Sequence, residues 1–331
     1  MSDSTKAVAW GRVGLFYAIA FGIASATALV MARFGADLVA GRALIWFQLL
    51  AAFVYMPAPL IAGIVVERVV KRRSRMRDEF SAIRAGWLRI VAVSALAIVG
   101  LYAAELGLTY LLGNVFGIAG AGRLVFTSQG IADNIVSALP AGSIDSTGSM
   151  PPAALLYLVA PLSALMAGFT VNGLFAFGEE YGWRGVLADE LAPLGAVRAN
   201  LLTGVMWGVW HAPLIALGFN YGDARLLGVV FMCLWVTPLS FILWRAREYA
   251  GGAILPAAII HGGFNAFAGF FLLFIAGRTA LLSAPVGVIG AAAVTVVAIV
   301  IWLGFAPRTQ IARRQAPLPD SRAAAISSNA R

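Results

Sequence analysis

The chain has 331 residues, of which 61% are hydrophobic and 12% are charged, and its formal net charge is +9. Together with a mean hydropathy of +0.87, this composition excludes an ordinary soluble domain. It predicts an all-α polytopic membrane protein, because a helix needs about 20 mainly apolar residues to cross the hydrocarbon core. Eight stretches meet that requirement. In chain order they are Val8–Val30, Leu44–Val66, Trp87–Gly113, Pro152–Phe177, Arg198–Leu217, Leu226–Trp244, Ile254–Ile275 and Leu281–Phe305.

Positive charges are distributed unevenly among the segments that connect these stretches. Most lie in Arg68–Arg89, in Arg245–Arg247 and after Phe305, which eight spans would place on the side of the N-terminus. Because Lys and Arg concentrate in cytoplasmic segments, we expect both termini in the cytoplasm and the loop Asn114–Pro151 outside. The bilayer thus accounts for the positive charge, and no nucleic-acid partner is expected. A dedicated anionic-lipid site at residues 71–77 is the alternative interpretation.

Residues 1–305 are therefore predicted to form a single transmembrane helical domain. Residues 306–331 have a composition rich in Pro, Ser, Ala and Arg, which predicts a disordered basic cytoplasmic tail. Lysine occurs only at Lys6 and Lys71. This preference for arginine is typical of GC-rich prokaryotic genomes, so a bacterial plasma membrane is the expected location.

Ionisable residues inside the apolar stretches are the strongest functional signal in the chain. The chain has only two histidines, His211 and His261, and both lie in such stretches. A third stretch ends in the acidic pair Glu179–Glu180. Since ionisable groups are costly in a bilayer and mark function by default, we interpret these residues as one buried polar site.

The spacing around the acidic pair predicts two different roles. If the helix continues, Glu180 and Arg184 lie one turn apart and can pair, while Glu179 points about 100° away. One carboxylate would then be held by its arginine, and the other would be free for a reaction. The alternative is that both are surface charges at the end of a span.

Each histidine also has a polar or aromatic neighbour at helical spacing. Trp207 and His211 are four residues apart, as are His261 and Asn265, so each pair shares a helix face. Pro213 predicts a kink beside His211. Hydrogen bonding between helices is the alternative role for these polar residues.

The depths of the histidines are compatible with a common cavity. At 1.5 Å per residue, His211 lies about 20 Å and His261 about 14 Å from the cytoplasmic ends of their spans. The acidic pair lies where its own span reaches that side. We therefore expect a cavity that opens towards the cytoplasm.

A carboxylate and two imidazoles are suited to hydrolysis by either of two routes. Glu179 can activate water with assistance from His211, while His261 and Asn265 donate hydrogen bonds to the oxyanion. Alternatively, Glu179, His211 and His261 can ligate a divalent metal such as zinc. The residues leave both routes open; the metal-independent route is favoured because Asn265 suits a hydrogen-bond donor better than a metal ligand.

The three motifs resemble the CAAX protease and bacteriocin-processing (CPBP, or Abi) family of intramembrane endopeptidases, which includes the type II CAAX prenyl protease. They read Glu179-Glu180-x-x-x-Arg184, Trp207-x-x-x-His211 and His261-x-x-x-Asn265. The resemblance covers about Tyr157–Phe271, and Trp207 stands where the family often has Phe.

The resemblance implies a role for each motif residue and a class of substrate. Glu179 and His211 would activate the water, and His261 with Asn265 would form the oxyanion hole. Supporting roles would fall to the remaining motif residues, Glu180, Arg184 and Trp207. A peptide or a membrane protein would be the substrate, and the family is commonly labelled metalloprotease.

Two other functions are compatible with the same residues. One is a catalytically silent membrane scaffold or chaperone with the same fold. The other is a proton-coupled transporter of small solutes. Such transporters usually have broken helices in two related halves, whereas the polar residues here all lie in the second half.

Overall fold

The computed structural model describes residues 7–38, 45–72, 75–138 and 150–304. These residues form a bundle of helices with one pair of short strands. The helices are α1 (Trp10–Arg33), α2 (Ile45–Val70), α3 (Met76–Val115), α4 (Ser128–Ala138), α5 (Ala153–Phe169), α6 (Val171–Leu194), α7 (Ala196–Trp210), α8 (Ala212–Ile215), α9 (Arg225–Tyr249), α10 (Leu255–Phe274) and α11 (Val288–Gly304). The strands β1 (Ala121–Leu124) and β2 (Ile275–Arg278) pair antiparallel.

The helices identify an integral membrane protein of the all-α class. Four of them, α1, α2, α3 and α9, are long and apolar enough to cross a membrane, and the bent pair α5–α6 can supply a fifth span. Shorter apolar helices cover Leu255–Phe271 and Val288–Gly304. Each predicted stretch contains a helix, but a count of eight spans stays a prediction. Large apolar side chains on the outside, such as Leu226 at 83% exposure, suit contact with lipid.

The fourth predicted stretch differs from the expectation in two ways. A break at Thr170 separates α5 from α6, which are bent by 54°. The helix then continues beyond the predicted end at Phe177 as far as Leu194. At the break, a Cβ on Gly262 would lie 2.5 Å from the amide nitrogen of Gly173. Glycine is therefore required where α10 crosses the break.

One end of the bundle is closed by ion pairs, and we call it the basic end. Glu190 accepts hydrogen bonds from Arg12 at 2.8 Å and from Lys71 at 2.9 Å. Asp189 pairs with Arg75 and, at 3.0 Å, with Arg247. Because these cations come from α1, from α9 and from the segment between α2 and α3, the acidic residues near the end of α6 link four parts of the chain.

The opposite end, which we call the loop end, comprises β1, β2 and the turns around residues 217–224 and 279–287. The amide of Leu38 donates to the carbonyl of Leu217 at 3.0 Å there. The predicted loop Asn114–Pro151 is partly regular, since β1 and α4 lie within it. The sequence predicts that the eighth stretch begins at Leu281, whereas its helix begins at Val288. The predicted tail, 306–331, lies outside the described residues.

Candidate active site

The acidic pair lies at the centre of α6, where the two carboxylates have different partners. Both are buried, Glu179 at 3% exposure and Glu180 at 0%. Arg184 pairs with Glu180 at 3.1 Å, as the one-turn spacing predicts. Glu179 instead accepts a hydrogen bond from the indole N–H of Trp207 at 3.1 Å. The helix does continue past the pair, with a π-helical segment over Tyr181–Leu187, so the predicted ion pair is confirmed.

His211 lies at a break between α7 and α8, which confirms the kink that Pro213 predicts. Its amide bonds to the carbonyl of Gly208 instead of that of Trp207. The carbonyl of Trp207 then accepts a hydrogen bond from Nδ1 of His211 at 2.8 Å. Nδ1 therefore carries the proton of the neutral imidazole and donates the hydrogen bond to this carbonyl. Nε2 is left unprotonated and can accept a proton.

His261 is fixed by the other carboxylate of the pair. Its Nδ1 lies 2.9 Å from Oε1 of Glu180, and the side chain is 5% exposed. A carboxylate can only accept, so Nδ1–H donates to Glu180, and an Nε2–H that also donates requires the imidazolium form of His261. Asn265 follows one turn later on α10 and is exposed on the cavity wall.

Trp207 joins the acidic pair to both histidines. Its indole donates to Glu179, and the guanidinium carbon of Arg184 lies 4.1 Å from the centroid of its ring. The His261 ring meets it edge-on, with centroids 5.1 Å apart. Such contacts are favourable when water is excluded, so Trp207 holds the relative positions of α6, α7 and α10.

A cavity of about 710 Å³ contains the predicted reactive residues. Glu179, His211, His261 and Asn265 all line it, together with Trp207. The lining omits Glu180 and Arg184, which lie behind the wall. Much of the remaining wall is apolar, including Phe47, Leu214, Phe219, Trp235 and Phe264. The structure therefore brings Glu179, His211, His261 and Asn265 to the wall of one cavity. It places Glu179 on that wall and Glu180 behind it.

The cavity does not open where the sequence predicts. Its outer wall contains Asn220, Arg278 and Thr279, which are exposed at the loop end. The sequence predicts an opening on the same side as the basic segments, whereas the described mouth and the basic end lie at opposite ends of the bundle. The reason is that α6 continues beyond the acidic pair and fills the basic end with buried residues, including Trp183 and Leu187.

The candidate metal ligands are not arranged as a metal site. Within residues 7–38, 45–72, 75–138 and 150–304, no group of three or more His, Cys, Asp or Glu side chains could hold a metal ion. Hydrogen bonding at Nδ1 leaves Nε2 of each histidine available, so the misfit comes from how the three side chains are grouped and not from their hydrogen bonds. The donor set of Glu179, His211 and His261 therefore does not fit a zinc ion in this arrangement.

Sequence reasoning missed Tyr55 of α2. Its hydroxyl donates to the carbonyl of Trp210 at 2.6 Å, and its ring lines the cavity. Leu214 donates its amide to His211 rather than to Trp210, so the break beside His211 frees this carbonyl and Tyr55 satisfies it. A tyrosine shortly before Pro57 in an apolar stretch is too common a pattern to reveal this contact.

Comparison with known proteins identifies the region that carries the site. Residues 154–267 match the family described as type II CAAX prenyl endopeptidase Rce1-like. The chain carries a domain of this family. No curated protein matches the chain. The Rce1-like domain begins in α5 and ends in α10, so it contains all three motifs, and its family is one of CAAX proteases.

Proposed function

We propose that the chain is an intramembrane endopeptidase of the CPBP type, in which Glu179 activates the water. The Rce1-like domain supports membrane proteolysis in general. The position of Glu179 on the cavity wall, with Glu180 behind it, carries the assignment of the reacting carboxylate. A bacterial plasma membrane is the proposed location.

The proposed reaction begins with a water molecule between Glu179 and His211. The carboxylate of Glu179 accepts one proton of the water, and Nε2 of His211 accepts a hydrogen bond from the other O–H. The hydroxide oxygen bonds to the carbonyl carbon of the peptide, and the carbonyl oxygen becomes an oxyanion. General base catalysis of this kind contributes about 10²–10⁴-fold in rate.

The oxyanion would be bound by two donors of α10. The side-chain amide of Asn265 supplies one N–H, and Nε2–H of the His261 imidazolium supplies the other. Glu180 balances the positive charge of His261 through the contact at 2.9 Å. When the carbon–nitrogen bond breaks, protonated Glu179 returns its proton to the amine, leaving a carboxylic acid and an amine as products. This route uses no metal ion.

A comparison of cleavage products tests the proposal. Detergent-solubilised membrane proteins and peptides are incubated with purified wild type or with Glu179→Gln, which keeps the size of the side chain. New N-termini identified by mass spectrometry with the wild type alone would support proteolysis. Identical sets of termini with both proteins would contradict it and would favour the catalytically silent scaffold.

A further inference from the structure

The cavity that contains the reactive residues extends to the loop end of the bundle. Besides Glu179 and His261 at its inner part, it is lined by Asn220, Arg278 and Thr279. These three residues belong to the turns and the strand at the loop end, and all three are exposed. The wall is therefore continuous from the reactive carboxylate to the surface at that end.

Positions along α10 give the direction of the cavity. The helix begins at the basic end, where Glu79 accepts hydrogen bonds from the amides of Ile254 and Leu255. At 1.5 Å per residue, His261 lies about 9 Å from that start and Gly269 about 21 Å. Both line the cavity, and the helix then ends beside β2. The cavity therefore becomes deeper from the loop end towards the basic end.

Buried side chains close the basic end behind the reactive residues. Trp183 and Arg184 are 0% and 1% exposed. Tyr181 lies beside them and donates its hydroxyl to Glu67 at 2.6 Å, and Glu67 also pairs with Arg75 at 3.0 Å. A peptide reaching Glu179 from this side would have to displace buried aromatic rings and ion pairs. Entry from the loop end requires no such change in the described residues.

Arg278 gives the mouth its charge. Its side chain makes no hydrogen bond or ion pair with another residue in the described part of the chain, and Glu179 is the one carboxylate that lines the cavity there. Farther in, the wall is largely apolar. This arrangement suits a peptide segment that is apolar within the cavity and carries an anionic group where it passes Arg278.

We propose that substrates enter from the loop end, past Arg278, and that this end faces away from the cytoplasm. Clustered Arg and Lys residues mark the cytoplasmic side of a membrane protein. The basic end should therefore face the cytoplasm, and the loop end should face the opposite side. The expected substrate is an apolar peptide segment that bears an anionic group and is presented at the extracytoplasmic face. That such a substrate is cleaved rests on the proposed function; the direction of entry does not.

Cysteine labelling in intact cells tests the direction of entry without any substrate. In a Cys233→Ala background, Gly269→Cys places a thiol on the cavity wall, where a Cβ meets no atom within 4 Å. The matched control is Arg77→Cys, at an exposed position near the basic end. Both variants are first labelled in detergent, which shows that each thiol reacts in the folded protein.

Membrane-impermeant methanethiosulfonate reagents then probe each face. We expect Gly269→Cys to be labelled in intact cells and Arg77→Cys only in inverted vesicles. Labelling of Gly269→Cys from inverted vesicles alone, or from neither face, would overturn the proposal. Adding Glu179→Gln should leave the labelling unchanged, so a failure of the entry proposal is distinguishable from a failure of the proposed proteolysis.

The charge of the mouth is tested with anionic and cationic forms of the reagent. Arg278→Gln should lower the ratio of anionic to cationic labelling rates at Gly269→Cys severalfold, because it removes the one arginine or lysine side chain that lines the described cavity wall. Arg225→Gln, at the same end but off the cavity wall, should leave the ratio unchanged. Equal effects of the two variants, or no effect of Arg278→Gln, would remove Arg278 from the entry path.

Discussion

Two acidic pairs lie on α6, three turns apart, and their surroundings differ. Asp189 and Glu190 near its end each pair with two cations. In the pair at its centre, Glu180 pairs with Arg184 and His261, whereas the indole of Trp207 is the one hydrogen-bond partner of Glu179 among the described residues. A carboxylate between two cations is held in place by them. Glu179 lacks such partners and lines a cavity, so it can accept a proton from a substrate water.

The largest effects should come from the residues on the cavity wall. We expect Glu179→Ala, His211→Ala and His261→Ala each to abolish detectable proteolysis, because each removes a group of the proposed proton transfer or oxyanion site. Purified variants are compared with the wild type by initial rate, and circular dichroism checks that they remain folded. Turnover near the wild-type rate would exclude that residue from the chemistry.

Asn265→Ala should have the next largest effect. Loss of one oxyanion donor costs about 10²–10³ in rate. Because Asn265 is exposed on the cavity wall and has no hydrogen-bond partner among the described residues, the variant should fold normally. Equal thermal stability with an unchanged rate would show that Asn265 donates no hydrogen bond to the transition state.

Glu180 and Arg184 should affect stability first and activity as a consequence. Breaking a buried ion pair by removing one partner costs about 3–5 kcal/mol, since the other charge is left uncompensated. Glu180→Gln and Arg184→Gln are each compared by denaturant unfolding with the double variant, which removes both charges of this pair. The free energy of unfolding should fall less in the double variant than the sum of its decreases in the two single variants. A decrease equal to that sum would contradict a coupled pair.

Glu190→Gln should have a small effect, because its partners Arg12 and Lys71 are 41% and 25% exposed. Partly exposed pairs contribute about 1 kcal/mol or less. Thermal unfolding and initial rate should both stay near the wild type. A loss as large as that of Glu180→Gln would show that the two acidic pairs are equivalent after all.

Removal of metal should have no effect at all. The donor set of Glu179, His211 and His261 does not fit a metal ion in this arrangement, so proteolysis should survive exhaustive chelation. Elemental analysis of the active protein accompanies the assay. Stoichiometric zinc that is lost together with activity, and restores it when added back, would contradict the proposed route.

The sequence predicts those features that depend on helical spacing alone. The Glu180–Arg184 pair, the shared face of His261 and Asn265, and the break beside Pro213 all follow from residues within about one turn of one another. The break at Thr170 and the contact of Tyr55 with Trp210 depend on how separate helices cross. Spacing along one helix carries no information about such contacts.

The position of the cavity mouth was missed for a related reason. The sequence places Glu179 at the end of its span because the apolar stretch ends at Phe177. In the structure, buried ion pairs and aromatic rings allow the helix to remain in the protein interior as far as Leu191. The sequence does not distinguish a charged segment that is buried by ion-pair partners from a charged segment that is exposed to water.

The most direct measurement of the central claim is the initial rate of Glu179→Gln against Glu180→Gln on one cleaved substrate, normalised to the folded fraction of each protein. Both changes remove one negative charge from neighbouring residues of the same helix. The account predicts that folded Glu179→Gln is inactive, whereas folded Glu180→Gln retains measurable turnover. Active Glu179→Gln beside folded but inactive Glu180→Gln would contradict the account and would reverse the roles of the two carboxylates.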